Sequence, residues 1–269
     1  MFKYLQHSCL FLLALLVLSS CEKVIEVDLE SSPVQIVFEG NITNVLGPQY
    51  IKISRSVPYS DSNVYPPVTG ATVVVTNQNG ANLPFTEVQP GLYSFRSLRG
   101  RPNDTYTMKA TVDNVVYTAS STMPAVVRID SLTIRSLTFG GDENRQVEVN
   151  FTDPKDIVNQ YRFILKINDV LTRRIFADND RLNNGNKVAN TLFYTDDDNK
   201  DIELGDRIEV ELQCIDKDIF KYWSTLSQQT QNGPGGGVTP GNPPSNINNN
   251  ALGYFSAHTT FTRSFTMNY

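Results

Sequence analysis

Short stretches in which apolar and polar residues alternate one by one recur along almost the whole chain, punctuated by turn signals. This constrains the fold more than any other feature. Val147, Val149 and Phe151 interleave with Gln146, Glu148 and Asn150, so an extended backbone there has one face to bury and one to wet. In the first half, strands are predicted near Gln35 to Gly40, Tyr50 to Ser54, Ala71 to Thr76, Gly91 to Phe95, Thr105 to Val112 and Val115 to Ser120. After Met123-Pro124 the pattern restarts, near Ile129 to Ser136, Gln146 to Phe151, Tyr161 to Asn168, Leu171 to Ala177, Thr191 to Thr195 and Arg207 to Ile215. Asn79-Gly80, Asp113-Asn114 and Asn168-Asp169 supply tight turns, since Gly, Asn and Asp accept positive φ at low steric cost. The run from Asp178 to Lys187 reads as a polar loop. A mainly β fold follows, expected as two tandem Ig-like or prealbumin-like β-sandwich domains over residues 33–124 and 125–269, with the boundary near 121–128.

One segment breaks the period. Ile219, Trp223 and Leu226 recur at helical spacing, which predicts an amphipathic helix over 216–231 with Trp223 on its apolar stripe. Asn232-Gly233-Pro234 ends it, and the Gly/Pro/Asn-rich run 232–250 is expected to be a long flexible loop. Closing strands are predicted over Gly253 to His258 and Thr260 to Met267.

Residues 1–20 have the plan of a signal peptide: Lys3 supplies positive charge and Cys9 to Leu18 an apolar run. That run is too short for a bilayer core of roughly 30 Å, which needs about 20 apolar residues. The segment closes with Leu18-Ser19-Ser20-Cys21, which resembles the lipobox of lipoprotein precursors. Cys21 is the expected lipidation site and 21–32 the lipidated tether. Two or more acyl chains make such an anchor stable, at about 0.8 kcal/mol per buried methylene. Early charges in the tether, Glu22, Lys23, Glu26 and Asp28, are compatible with a surface-exposed lipoprotein.

With Cys9 in the signal and Cys21 acylated, Cys214 has no disulfide partner, and its place in the alternating run Ile208, Val210, Leu212, Cys214 predicts a buried thiol. Removing Lys3 from the 23 basic residues leaves 22 against 28 acidic ones, a formal charge of −6 for the mature chain. No concentrated basic run exists to neutralise phosphates, so nucleic acid is not an expected partner. His258 is the one histidine of the mature chain, and no Gly-x-Ser-x-Gly elbow accompanies it. One His and one Cys cannot fill a zinc shell without acidic help. Asp196-Asp197-Asp198-Asn199-Lys200-Asp201 gathers carboxylates, but it lacks the glycine and terminal glutamate of a helical calcium loop and reads as a solvated acidic turn. No catalytic residue, metal site or cofactor is therefore assigned. Tyr59 and Tyr65, near Pro66-Pro67, are the candidate ligand-binding residues, because aromatic and proline residues give contact area at small entropic cost.

A set of ordered segments carries a family resemblance: Ile36-Val37-Phe38-Glu39-Gly40-Asn41-Ile42-Thr43-Asn44, Pro67-Val68-Thr69-Gly70-Ala71-Thr72-Val73, Phe151-Thr152-Asp153-Pro154, Leu204-Gly205-Asp206-Arg207, Tyr222-Trp223, Pro244-Ser245-Asn246-Ile247 and Leu252-Gly253-Tyr254-Phe255. In this order the chain resembles the domain of unknown function 4249 family, lipoproteins of bacteria rich in Sus-type nutrient transporters. Asn248-Asn249-Asn250 departs from the glycine-containing form of that pattern. The resemblance implies an outer-membrane lipoprotein, often beside a TonB-dependent transporter, with no established reaction. The expectation is a non-enzymatic accessory, lipid-anchored in the outer membrane, that binds a ligand or docks on such a transporter. The alternatives are a surface hydrolase of glycans or peptides, or an adhesion or envelope-assembly module.

Overall fold

A computed structural model describes residues 33–58, 61–139, 142–194, 201–231 and 241–268. The fold is mainly β, with one helix near the C-terminal end among the described residues. The strands are β1 (Ile36–Thr43), β2 (Gly47–Arg55), β3 (Thr72–Thr76), β4 (Asn82–Gln89), β5 (Leu92–Leu98), β6 (Thr105–Val112), β7 (Val115–Thr122), β8 (Ile129–Phe139), β9 (Asp142–Thr152), β10 (Gln160–Ile167), β11 (Val170–Leu171), β12 (Phe176–Asn179), β13 (Lys187–Leu192), β14 (Arg207–Ile215) and β15 (Leu252–Thr266). The helix, α1, is Lys217–Gln231. A 12-stranded sheet runs β11-β10-β14-β15-β1-β2-β5-β4-β3-β6-β7, with β12 also on β10, and a 3-stranded sheet runs β13-β9-β8.

The large sheet folds back over itself. Strands β1 and β7 lie six steps apart along it, about 29 Å in a flat sheet at ~4.8 Å per step. Yet the rings of Phe38 on β1 and Tyr117 on β7 are 5.3 Å apart. Between the two layers sits a first core containing Phe38, Ile51, Val75, Tyr93, Tyr106 and Met108. In the second half, β9 faces β10 and β14: Phe151 meets Tyr161 at 5.0 Å and Phe163 at 6.0 Å between ring centroids. This second core holds Val147, Val149, Leu165, Val210 and Leu212, and the buried Cys214, whose thiol burial pushes above its ordinary pKa.

The chain end joins the two cores. The first half of β15 pairs in parallel with β1, Val37 opposite Leu252 through Thr43 opposite His258. Its second half pairs antiparallel with β14, Cys214 opposite Thr259 through Arg207 opposite Thr266. Phe255 and Ala257 therefore enter the first core, and Phe261 and Phe265 pack on the second.

Several sequence expectations need correction. The two closing strands are one, because the peptide at Thr259 continues the ladder without a break. Ile247 and Ala251, assigned by sequence to the second half, are buried in the first core. Strand β4 was missed, since only Phe85 of its eight residues is buried and no alternation marks it. The strand expected over Leu171 to Ala177 is two short pieces, β11 and β12, both paired with β10. The strand expected at Thr191 lies earlier, at Lys187–Leu192, and with β12 it takes up both ends of the expected polar loop. Residues 245–250 are fixed in place: Asn246 Nδ2 donates to Ser120 O, Asn248 N to Thr118 O and Asn249 Nδ2 to Val116 O, covering the edge of β7. Residues 232–240, expected as the rest of that loop, lie outside the described residues.

The turn chemistry holds at the backbone. Asp113 and Asn114 have φ of 48° and 64°, and Asn168 and Asp169 51° and 64°, the paired positive angles of two-residue hairpins. Asp216 caps α1: its Oδ1 accepts from the backbone N–H of Asp218 and Ile219 at 3.0 Å each, while its other oxygen accepts from Ser121 Oγ.

Candidate functional site

Tyr65 stands on a loop held firmly from below. Arg55 N donates to Pro66 O at 2.9 Å and Val68 N to Ile53 O at 3.0 Å, continuing the edge of β2. Buried Tyr93 donates its hydroxyl to Val68 O at 2.8 Å and accepts from Ala71 N at 2.9 Å. The Glu87 carboxylate accepts from Gly70 N and Gly91 N, and these two bonds hold it below the usual carboxylate range. The loop is thus pinned while Tyr65 stays half exposed, beside exposed Val64. The chain enters the body at the same end. Gln35 N donates to Ser56 Oγ, Ser56 N to Gln35 O, and Gln35 Nε2 to Asn250 O. Tyr59 and Cys21 lie outside the described residues.

A second feature is an open groove of about 430 Å³ along the edge of β7, lined by Thr107, Thr118, Ser120, Ser245, Asn246 and Asn248. Its walls present hydroxyl and amide groups beside the apolar side chains of Ala119 and Ile247. Several are already paired: Thr107 and Ser120 hydroxyls are 2.8 Å apart, Asn248 Oδ1 accepts from Thr118 N, and Asn246 clasps both the N–H and the carbonyl of Phe255. Sequence inspection missed this groove because it joins residues more than a hundred positions apart.

Trp223 is committed to packing. The Arg162 guanidinium carbon lies 3.5 Å from its ring centroid, and Tyr222 and Tyr254 meet it edge-on at 5.1 Å. Arg162 also donates to Gln213 Oε1 at 3.2 Å, and Gln213 passes the contact to Glu211. Burial lowers the Arg162 pKa and pushes Tyr222 up to about 12. This cation–π stack fixes α1 on the outer face of β10 and β15.

His258 and Asp153 are buried titratable groups. Ser256 Oγ and His258 Nδ1 are 3.0 Å apart, but both residues are buried, so no substrate reaches them; burial lowers the histidine to about 4 and keeps it neutral. Tyr161 donates to buried Asp153, which also accepts from Gly185 N, tying β10 to the turn before β13. Of the acidic run, 196–200 lies outside the described residues, and Asp201 accepts from Arg145 N at 2.8 Å and pairs with its guanidinium. Among the described residues no group of three or more His, Cys, Asp or Glu is placed to hold a metal ion.

The family model described as domain of unknown function DUF4249 matches residues 22–264. The chain belongs to the DUF4249 family. No match was found among curated proteins. Among solved structures, this DUF4249 chain is similar to a DUF4785 family protein from Legionella pneumophila, at 10% identity and a TM-score of 0.24. The likeness covers 68% of this chain and 51% of that one, so the chain spans about half the length of the structure it matches.

Proposed function

We propose that the mature chain is a non-enzymatic lipoprotein, anchored in the outer membrane through Cys21, that serves a TonB-dependent nutrient transporter by binding a ligand or docking on it. The two cores fit two Ig-like sandwich modules in series that share β15. The observation that carries this reading is where the body begins. Gln35 is locked between Ser56 and Asn250, so a folded body starts within some fifteen residues of the lipobox cysteine, as a tethered accessory requires. The groove along β7 is the surface open to a polar ligand, and its hydroxyl and amide lining suits neutral groups better than charged ones.

Two measurements test it. Growth with labelled palmitate should label the wild-type chain and leave Cys21→Ala unlabelled. A tag at Tyr269, used to purify the protein from native membranes under gentle detergent, should recover a TonB-dependent transporter in near-equal amount. Unlabelled wild type removes the anchor, and recovery of the lipoprotein alone removes stable docking.

A further inference from the structure

The end at which the chain enters is also where exposed apolar side chains gather. Val34 precedes Gln35 directly. Val64 and Tyr65 sit on the braced loop, 73% and 51% exposed. Val88 is exposed just before the β4–β5 turn, and Gly91 in that turn accepts from Ile53 N. Val115 and Val116 follow the β6–β7 turn, which the Arg55–Asp113 ion pair and the Asn249–Val116 bond fasten to the same end.

We propose that this end, carrying Val34, Val64, Tyr65, Val88, Val115 and Val116, rests on the lipid surface of the membrane that holds the anchor. The inference depends on acylation of Cys21. Given that anchor, chain length selects the end. The thirteen steps from Cys21 to Val34 span at most about 47 Å fully extended. Val34 lies three residues before Val37, the partner of Leu252, and β15 runs fourteen residues on from Leu252 to Thr266, together about 56 Å at ~3.3 Å per residue. The far end, where Gly205 N bonds Met267 O and the β10–β11 turn bonds Arg207, is therefore out of reach of a membrane that the anchor occupies while the body stands on it. Lying flat on the β6–β7 side would press Thr105, Thr107, Lys109, Ser120 and Thr122 into lipid, and these polar groups are better left in water. Standing on the entry end instead places small apolar side chains and an amphipathic tyrosine at the interface, where Tyr is favoured.

The test uses the full mature lipoprotein, purified with its lipid and reconstituted into phosphatidylethanolamine–phosphatidylglycerol vesicles. Cys21 is occupied by lipid and Cys214 is buried, so a single introduced cysteine takes a polarity-sensitive fluorophore selectively. Val64→Cys and Val115→Cys are compared with Val170→Cys, an apolar position at the far end that is 69% exposed, close to Val64 at 73% and more open than Val115 at 43%. The expected result is blue-shifted emission and several-fold stronger quenching by nitroxide-labelled lipid at 64 and 115 than at 170. Equal quenching at all three overturns the inference. So does protection of position 64 that appears only in native membranes and not in lipid vesicles, which would assign this end to a protein partner. Palmitate labelling separates the two failures: a labelled chain with water-exposed 64 refutes only the orientation, whereas an unlabelled chain refutes the anchor and the orientation with it.

Discussion

The two cores of this protein are closed in different ways. The second is assembled from residues 127–214, a continuous stretch, and takes from the chain end only the partly buried Phe261, Phe265 and Met267. The first is assembled from residues 36–123 but is completed by Ile247, Ala251, Phe255 and Ala257, which arrive more than 120 positions later. A β-sandwich with an open central strand leaves backbone groups and apolar side chains uncovered, at a cost comparable to its whole stability. The first core therefore depends on residues 247–257 to close it, whereas the second takes only partly buried side chains from the chain end.

The sharpest way to break this comparison is at Gly253. Its φ is +84°, and a Cβ there would lie 1.9 Å from the Phe38 carbonyl oxygen, at the second pair of the parallel β1–β15 ladder. Gly253→Val should abolish folding of the first half, read by loss of cooperative unfolding. Gly205→Ala, also at positive φ but with open space around it, should cost only about 1–2 kcal/mol. Similar losses from the two substitutions would refute the special role of the chain end.

Next in size are Phe255→Ala in the first core and Phe163→Ala in the second, each expected to cost about 3–5 kcal/mol in urea unfolding. Because β15 belongs to both cores, each variant should still unfold in one transition. Two separated transitions would show that the cores are independent.

His258 lies on β15 where the strand passes from one pairing to the other, near Glu211, which favours its charged form, and Arg162, which disfavours it. Its folded pKa of about 4 is below the ordinary 6.5. Above pH 6.5 the ring is neutral in both states and its contribution is intact. As pH falls toward 4 the unfolded chain takes up the proton and the folded one does not, so stability falls by roughly 3 kcal/mol across that window. Unfolding of wild type against His258→Gln at pH 7 and pH 4.5 measures this, and an unchanged pH slope in the variant would remove His258 as the cause.

A smaller loss, about 1–2 kcal/mol, is expected for Asp216→Ala, which uncaps α1 and removes the acceptor of the Ser121 hydroxyl, leaving that oxygen its bond from Ala257 N. Trp223 fluorescence should report it, because Trp223 rides on the same helix under Arg162. The smallest effect is at Glu87. Its lowered pKa means that its support of Gly70 and Gly91 is present above the ordinary carboxylate range and fades as pH falls through it. Glu87→Gln should leave global stability nearly unchanged but speed protease cleavage between Asp61 and Pro67. An unaltered cleavage rate would show that Tyr93 and the backbone bonds of Arg55 and Val68 pin the loop without Glu87.

What the sequence determined by itself is local. A period of two writes burial into neighbouring residues, so β6 and β14 are legible to the residue, and the helix expected over 216–231 is found at Lys217–Gln231. Paired Asp and Asn residues announce their hairpins because positive φ is a property of those residues and not of their surroundings. The tertiary structure decided everything that depends on which strand meets which. Strand β4 was hidden because its neighbours on both sides, and not its own pattern, hold it in the sheet. The parallel pairing of β1 with β15, the capture of residues 245–257 by the first core and the groove along β7 join positions up to 215 residues apart, and alternation carries no label for a distant partner. The same holds for Tyr65. Its aromatic ring and flanking prolines were visible as a candidate, but its place at the end where the chain enters follows only from β2, Tyr93 and Glu87 gripping the loop beneath it.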